Sequence, residues 1–237
     1  MLRMENTTIA SGSDYSRFFI PGAIVVSGLV IAAGLYFGLA GEGAPSPDAG
    51  GTAVDIEDVK MAGVPFIGEA DAPVVLAVWE DYQCPFCKQF ETTVLPSLVE
   101  KYVATGKLKI IFKDFAFLSE DSQTAAQYGR AIWDLYPGEF YAWRTAMYEA
   151  QDEEHGGFGN VASIDALIKR SFPQMDLAKV KSQLAERKAD YDTAIDADRA
   201  EAQQFGINGT PGFITGTVRI DGAQPLSAFT EAIDAQL

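Results

Sequence analysis

Apolar residues follow three rhythms along this chain. The first is unbroken. From Phe18 to Ala40 the sequence FFIPGAIVVSGLVIAAGLYFGLA runs 23 residues without a charge, long enough to cross a bilayer as one helix. Its length exceeds the roughly 7–15-residue apolar region of a secretory signal, so an uncleaved anchor is expected. Gly38-Leu39-Ala40 nonetheless offers small residues where a signal peptidase cuts, and a signal segment stays open as the alternative. Residues 1–17 read as a cytoplasmic tail, because Arg3 and Arg17 precede the span and only Lys60 follows it within twenty residues. Gly34 and Gly38 have the spacing that packs helices in membranes, although glycine is common in such spans. Residues 41–54, beginning GEGAPSPDAGGT, read as a flexible tether to a domain at 55–237.

The second rhythm is that of strands. Val74 to Trp79 (VVLAVW) is a short apolar run between the Pro65 to Pro73 stretch and a polar corner at Glu80 and Asp81. Leu108 to Phe112 (LKIIF) is another. Near the end, FGINGTPGFI from Phe205 to Ile214, a turn at Thr215-Gly216-Thr217 and Val218 to Ile220 predict a hairpin.

The third rhythm is helical. Phe90, Val94, Leu98 and Tyr102 recur every four residues and predict a helix from Pro85 to about Tyr102, kinked at Pro96 and stopped by Gly106. From about residue 118 to 200 the pattern stays helical. Ala125, Tyr128, Ile132 and Leu135 mark one helix, Phe140 to Ala150 a second, Ile164 to Lys169 a third and Leu177 to Phe205 a long fourth. Leu226, Phe229, Ile233 and Leu237 mark a closing helix. The insertion aromatics Trp133, Tyr136, Phe140, Tyr141, Trp143 and Tyr148 suit either helix packing or the wall of a peptide groove. The whole is an α/β domain with a helical insertion.

Charge narrows the partners. The formal net charge is −15, and the tail before Phe18 adds nothing to it because Arg3 and Arg17 balance Glu5 and Asp14. An acidic domain of this kind is no partner for nucleic acid or anionic lipid. The single histidine, His155, stands in a glycine-rich loop (EEHGGFGN) with nothing at ligand or dyad spacing, and reads as a solvated loop residue.

The chemistry lies in Cys84-Pro85-Phe86-Cys87, which holds the only two cysteines of 237 residues. Cysteines three apart in the first turn of a helix are close enough to join after small adjustment. Pro85 suits the first helical position, which makes Cys84 the N-cap. There it faces unpaired backbone N–H groups and the positive end of the helix dipole, so its thiolate is favoured. Cys84 is thus expected to be the exposed attacking thiol and Cys87 the buried resolving one. A zinc site would need four ligands, which one histidine and two cysteines do not supply. A purely structural disulfide would close too short a loop to stabilise much. No metal and no cofactor is expected.

The run IGEADAPVVLAVWEDYQCPFCKQF, the helical segment after it, and FGINGTPGFI with its hairpin and closing helix resemble the DsbA-like family of exported thiol-disulfide oxidoreductases, and within it the membrane-anchored members. The resemblance covers about residues 63–237. It implies a thioredoxin-like fold interrupted by a helical insertion, with Cys84 as nucleophile and Cys87 as resolving cysteine. Pro85 and Phe86 would then tune the potential. Thr210-Pro211, about 125 residues further on, would form a cis-proline loop that offers backbone groups to a substrate chain, and X-Pro is where a cis bond is accessible.

Departures from the family qualify the expected chemistry. Many relatives carry histidine where this chain has Phe86, so the helix N-terminus and Lys88 remain as favourable influences on the thiolate, with Glu80 and Asp81 opposing it or shuttling protons. Thioredoxin has a buried aspartate six residues before its first cysteine; here that position is Val78, and Asp81 or Glu80 is the nearest substitute. Ala116 stands where relatives often have proline, which bears on loop shape. The expected function is disulfide introduction into exported proteins on the extracytoplasmic side of the cytoplasmic membrane, with reoxidation by a membrane thiol oxidase, DsbB-like or VKOR-like. A reductase or isomerase, such as one serving cytochrome maturation, and an anchored binding module with an inert disulfide are the alternatives.

Overall fold

The computed structural model describes residues 53–152 and 156–237. The expected tail, anchor and most of the tether, like His155, lie outside the described residues. Among the described residues no helix is long and apolar enough to cross a membrane.

Five strands form one sheet in the order β1-β3-β2-β4-β5. The central strand β2 (Val74–Glu80) is buried along nearly its whole length, which explains why its sequence is a continuous apolar run rather than an alternation. It runs parallel to β3 (Leu108–Asp114), from Val74 opposite Leu108 to Glu80 opposite Asp114. On its other side β2 pairs antiparallel with β4 (Gly212–Thr215), which turns at Gly216 into β5 (Val218–Asp221). Gly216 has φ +52° there, a value that glycine adopts without steric cost. A strand of only two residues, β1 (Phe66–Ile67), pairs antiparallel with β3 inside the stretch that the sequence reading took as a lead-in.

The expected single helix after the cysteines is three pieces. Helix α1 (Pro85–Thr93) gives way to α2 (Leu95–Leu98), and a wide turn of π type follows over Val99–Val103. The break falls at Val94, at φ −110°. Pro96 has no N–H for the carbonyl of Thr92 and its ring crowds that carbonyl, so the chain leaves helical geometry just before the proline. Gly106, at φ +70°, follows as expected.

Phe90 on α1 joins the core on one face of the sheet with Val78, Phe213 and Phe229, its ring 4.7 Å from Phe213 and 5.4 Å from Phe229. Phe229 belongs to the closing helix α7 (Leu226–Asp234).

The insertion comprises α3 (Glu120–Leu135), α4 (Phe140–Ala150), α5 (Val161–Ser171) and the long α6 (Leu177–Gln204). Ser119, Asn160 and Asp176 cap α3, α5 and α6 by accepting from backbone N–H groups two or three residues on. Phe140, Trp143 and Tyr148 are fully buried packing residues, so the groove alternative does not describe them. Salt bridges fasten the insertion to the sheet. Lys113 is buried between Asp198, at 2.9 Å, and Glu201, while Arg130 bridges Asp114 at 2.6 Å and Asp198 at 2.5 Å. The indole N–H of Trp79 donates to the carbonyl of Asp198 at 3.1 Å. The end of β2 is thereby held firmly just before the chain reaches the cysteines.

Candidate active site

Beyond Glu80 the chain turns a corner in which Asp81 and Gln83 make many of the hydrogen bonds. The Asp81 carboxylate accepts from the backbone N–H of Gln83 at 2.8 Å, Phe117 at 3.0 Å and Leu118 at 3.1 Å. Its carbonyl accepts from the Cys84 N–H at 3.0 Å, and the Gln83 side chain donates to the carbonyl of Phe158 in the insertion at 2.7 Å. Cys84 emerges as the N-cap of α1 in extended geometry (φ −78°, ψ 121°), with Pro85 opening the helix. The local sequence therefore produces the geometry that it predicts.

The two sulfurs are free thiols in unlike settings. Cys84 is lowered from 9.0 to about 6. A hydrogen bond from the Cys87 thiol is the largest cause; burial opposes it, and Thr210 and the backbone N–H groups of Cys87 and Phe86 add to it. Cys87 moves the other way, well above the usual thiol value, because it is fully buried, bonded to Cys84 and repelled by its charge. Apart from the Cys84 thiolate acting on Cys87, the largest causes of both shifts are burial and hydrogen bonds. Cys84 is more covered than expected, at 5% exposure against 1% for Cys87, while Phe86 between them stands 59% exposed. The cover has an evident source, since the Cys84 sulfur sits 3.3 Å from the carbonyl of Thr210 and packs in the apolar cluster of Tyr82 and Tyr148.

The expected charges go elsewhere. Asp81 is buried and spent on the three N–H groups above. Glu80 is buried in an ion pair with Arg144 of α4, whose guanidinium also donates to Glu91 of α1 at 2.6 Å. Lys88 donates to the carbonyl of Gln151 at 2.8 Å. Both carboxylates are thus engaged in holding the fold around the cysteines. Val78, at the position of thioredoxin's buried aspartate, lies fully buried opposite Phe112, over whose ring Arg144 stacks at 3.8 Å. Burial pushes Glu91 up to about 8, with the Thr145 hydroxyl opposing and the Glu149 charge adding.

Arg144, Glu91 and Gln151 were not singled out from sequence. Glu91 stands four residues after Cys87 on the same face of α1, a spacing that could have pointed to it. Arg144 and Gln151 come from a helix more than fifty residues away and carry no local signal.

Thr210 and Pro211 arrive beside the cysteines because β4 pairs with β2, Gly212 lying opposite Trp79. The Thr210–Pro211 peptide is cis. An open cleft of about 360 Å³ borders this loop, lined among others by Asn208, Thr210, Pro211, Arg219 and Asp221.

A low thiol and a high thiol three residues apart at a helix N-terminus, on a sheet with a proline loop against the sulfur, define a thiol-disulfide exchange centre. The family model for thioredoxin matches residues 60–235. The probable disulfide bond formation protein D of Bacillus anthracis is 28% identical over 173 residues, 72% of this chain and 77% of that protein. Disulfide bond formation protein D of Bacillus subtilis is 24% identical over 180 residues, 75% of this chain and 78% of that protein. Among solved structures, oxidised BdbD from Bacillus subtilis superposes with a TM-score of 0.68 at 23% identity, covering 80% of this chain and 98% of that one. The alpha-DsbA2 protein of Wolbachia pipientis gives 0.65 at 22% identity, covering 74% and 88%. The chain belongs to the thioredoxin family and is a DsbA-like thiol-disulfide oxidoreductase.

Proposed function

We propose that the protein is an exported oxidase, tethered to the membrane through residues 18–40, that introduces disulfides into exported proteins. In its oxidised form a substrate thiolate attacks the Cys84 sulfur. The Cys84–Cys87 bond breaks, Cys87 leaves as a thiolate and takes a proton, and a mixed disulfide joins substrate to Cys84. A second substrate thiolate then attacks the substrate's own sulfur in that bond and expels Cys84. The substrate has lost two electrons, the pair has gained them, and a membrane thiol oxidase of the DsbB-like or VKOR-like kind takes them on.

The observation that carries this direction is the Cys84 thiol lowered to about 6. A stabilised thiolate leaves readily and favours the reduced pair, which makes the disulfide an oxidant. Pro85 sets the helix start, and Phe86, which brings no charge, leaves the poise to the backbone and to Cys87. Thr210 and Pro211 dock the substrate chain in extended form across the sulfur. Glu80 and Asp81 tune the centre only by holding the corner.

Mixing the oxidised protein with a reduced, unfolded disulfide protein tests the direction. Disulfides should appear in the substrate one for each pair consumed. Failure to oxidise it, together with efficient reduction of disulfides by the dithiol form, would point to a reductase. Location is tested in intact cells, where a membrane-impermeant thiol reagent should label Cys84 after mild reduction.

A further inference from the structure

Among the contacts of the helical insertion with the cysteine corner is one buried amide. Gln151 follows α4 as its C-cap and is buried. Its side-chain nitrogen donates to the carbonyl of Tyr82 at 2.7 Å and to that of Cys84 at 3.2 Å. An amide nitrogen has two N–H groups, and both are spent on carbonyls two residues apart in the corner. The contact is reciprocal, since the Gln151 backbone carbonyl accepts from Lys88 in the first turn of α1.

The Cys84 carbonyl is also the first acceptor of α1, taking the Lys88 N–H at 3.1 Å. Rotation of the Cys84 peptide would break the Gln151 bond and swing the sulfur away from the N–H groups of Phe86 and Cys87. Apolar packing secures the same corner independently, with the Tyr82 ring 5.2 Å from Tyr148 and 5.6 Å from Trp143. Loss of the amide should therefore loosen the geometry of the corner while leaving the fold intact.

We propose that Gln151 is a positioning residue for thiol-disulfide exchange, holding the Tyr82–Cys84 corner so that the Cys84 sulfur faces the helix N-terminus, and so making the insertion a determinant of the redox poise. The inference rests on the reading that a favoured Cys84 thiolate makes the pair an oxidant.

The test uses the full chain and the variant Gln151→Met, which keeps the length and removes both donors. Thiolate absorbance is titrated in the reduced protein, and the pair is equilibrated with glutathione. Loss of hydrogen bonds of this kind should move the equilibrium about three- to tenfold toward the disulfide, with the Cys84 titration displaced upward in step. Gln151→Glu, which adds a negative charge at the same place, should move both further in that direction. A lower melting temperature with an unmoved titration and equilibrium would overturn the proposal, leaving Gln151 a structural residue only. Should Gln151→Met fail to fold, Gln151→Asn, too short to span both carbonyls, should show the same upward displacement, and an unmoved titration there would be equally contrary. A wild-type Cys84 that titrates as an ordinary thiol would instead overturn the oxidase reading, while the difference between variant and wild type would still report on Gln151.

Discussion

The sulfur of Cys84 lies 3.3 Å from the main-chain carbonyl of Thr210, 126 residues further along the chain. Two pairings across β2 produce this meeting: β3 fixes the strand in one register, and β4 enters on the other side with Gly212 opposite Trp79. The Thr210 backbone carbonyl accepts a hydrogen bond from the thiol, while a hydrogen bond from the Thr210 side chain is among the causes that lower Cys84. The largest stabilisation of the thiolate comes from Cys87, and the N–H groups at the start of α1 add to it.

The unlike settings of the two sulfurs imply a division of labour. Cys87→Ser should accumulate mixed disulfides with substrates through Cys84, and Cys84→Ser should accumulate none. Capture under denaturing conditions followed by mapping of the joined cysteine checks this. Adducts recovered mainly through Cys87 would reverse the assignment.

The same asymmetry gives the reduced form its own pH dependence. In the unfolded chain Cys84 holds its proton up to about 9.0, and in the folded chain only up to about 6. Between those values the unfolded state binds more protons, so the stability of the reduced form rises with pH and is lost as pH falls through about 6. Above about 9 the sign changes, because the buried Cys87 keeps its proton in the folded state after the unfolded chain has lost it. The disulfide form has neither thiol. Urea unfolding of both forms across this range should therefore show a stability difference that grows with pH and then shrinks; parallel curves would contradict the shifts.

Beneath the cysteines, Arg144 is buried between two carboxylates, Glu80 and Glu91. One guanidinium does not balance two buried charges, and the proton retained by Glu91 up to about 8 removes the surplus. Arg144→Ala leaves this cluster without its cation and should cost about 3–5 kcal/mol of unfolding free energy. Glu91→Gln should be tolerated. Glu91 holds its proton from 4.5 up to about 8 only when folded, so its contribution is lost as pH rises through that window. The substitution should flatten that slope in denaturant titrations at several pH values.

Phe86 is the exposed residue between the cysteines, and its side chain adds neither charge nor hydrogen bond to the sulfur. Phe86→His should lower the Cys84 titration further and make the pair more oxidising. An unchanged potential in that variant would mean that the helix terminus and the surrounding corner alone set the poise.

Much of this architecture was legible because it is local. The strand into the corner, the N-cap cysteine with Pro85 behind it, and the Gly-Thr-Pro turn are all written in contiguous residues. What escaped was long-range or marginal. Two residues, Phe66 and Ile67, carry too little periodicity to announce β1. Pro96 signalled a kink, but the chain accommodates the proline by breaking at Val94. The charges of Glu80 and Asp81 looked available in sequence, and only the docking of α4 and the loop at Phe117 shows where they are spent. For the same reason Cys84 looked more exposed than it is, since the Thr210 segment that covers it is remote in the chain.

The most direct measurement is the equilibrium of the Cys84–Cys87 pair with reduced and oxidised glutathione at neutral pH. With Cys84 lowered to about 6 and Cys87 pushed up, the account predicts a disulfide that glutathione reduces more readily than it reduces thioredoxin's, with a potential above about −270 mV. A pair that remains a disulfide until glutathione is strongly reducing would contradict it, and would mean that the thiolate is not favoured in the way the geometry indicates.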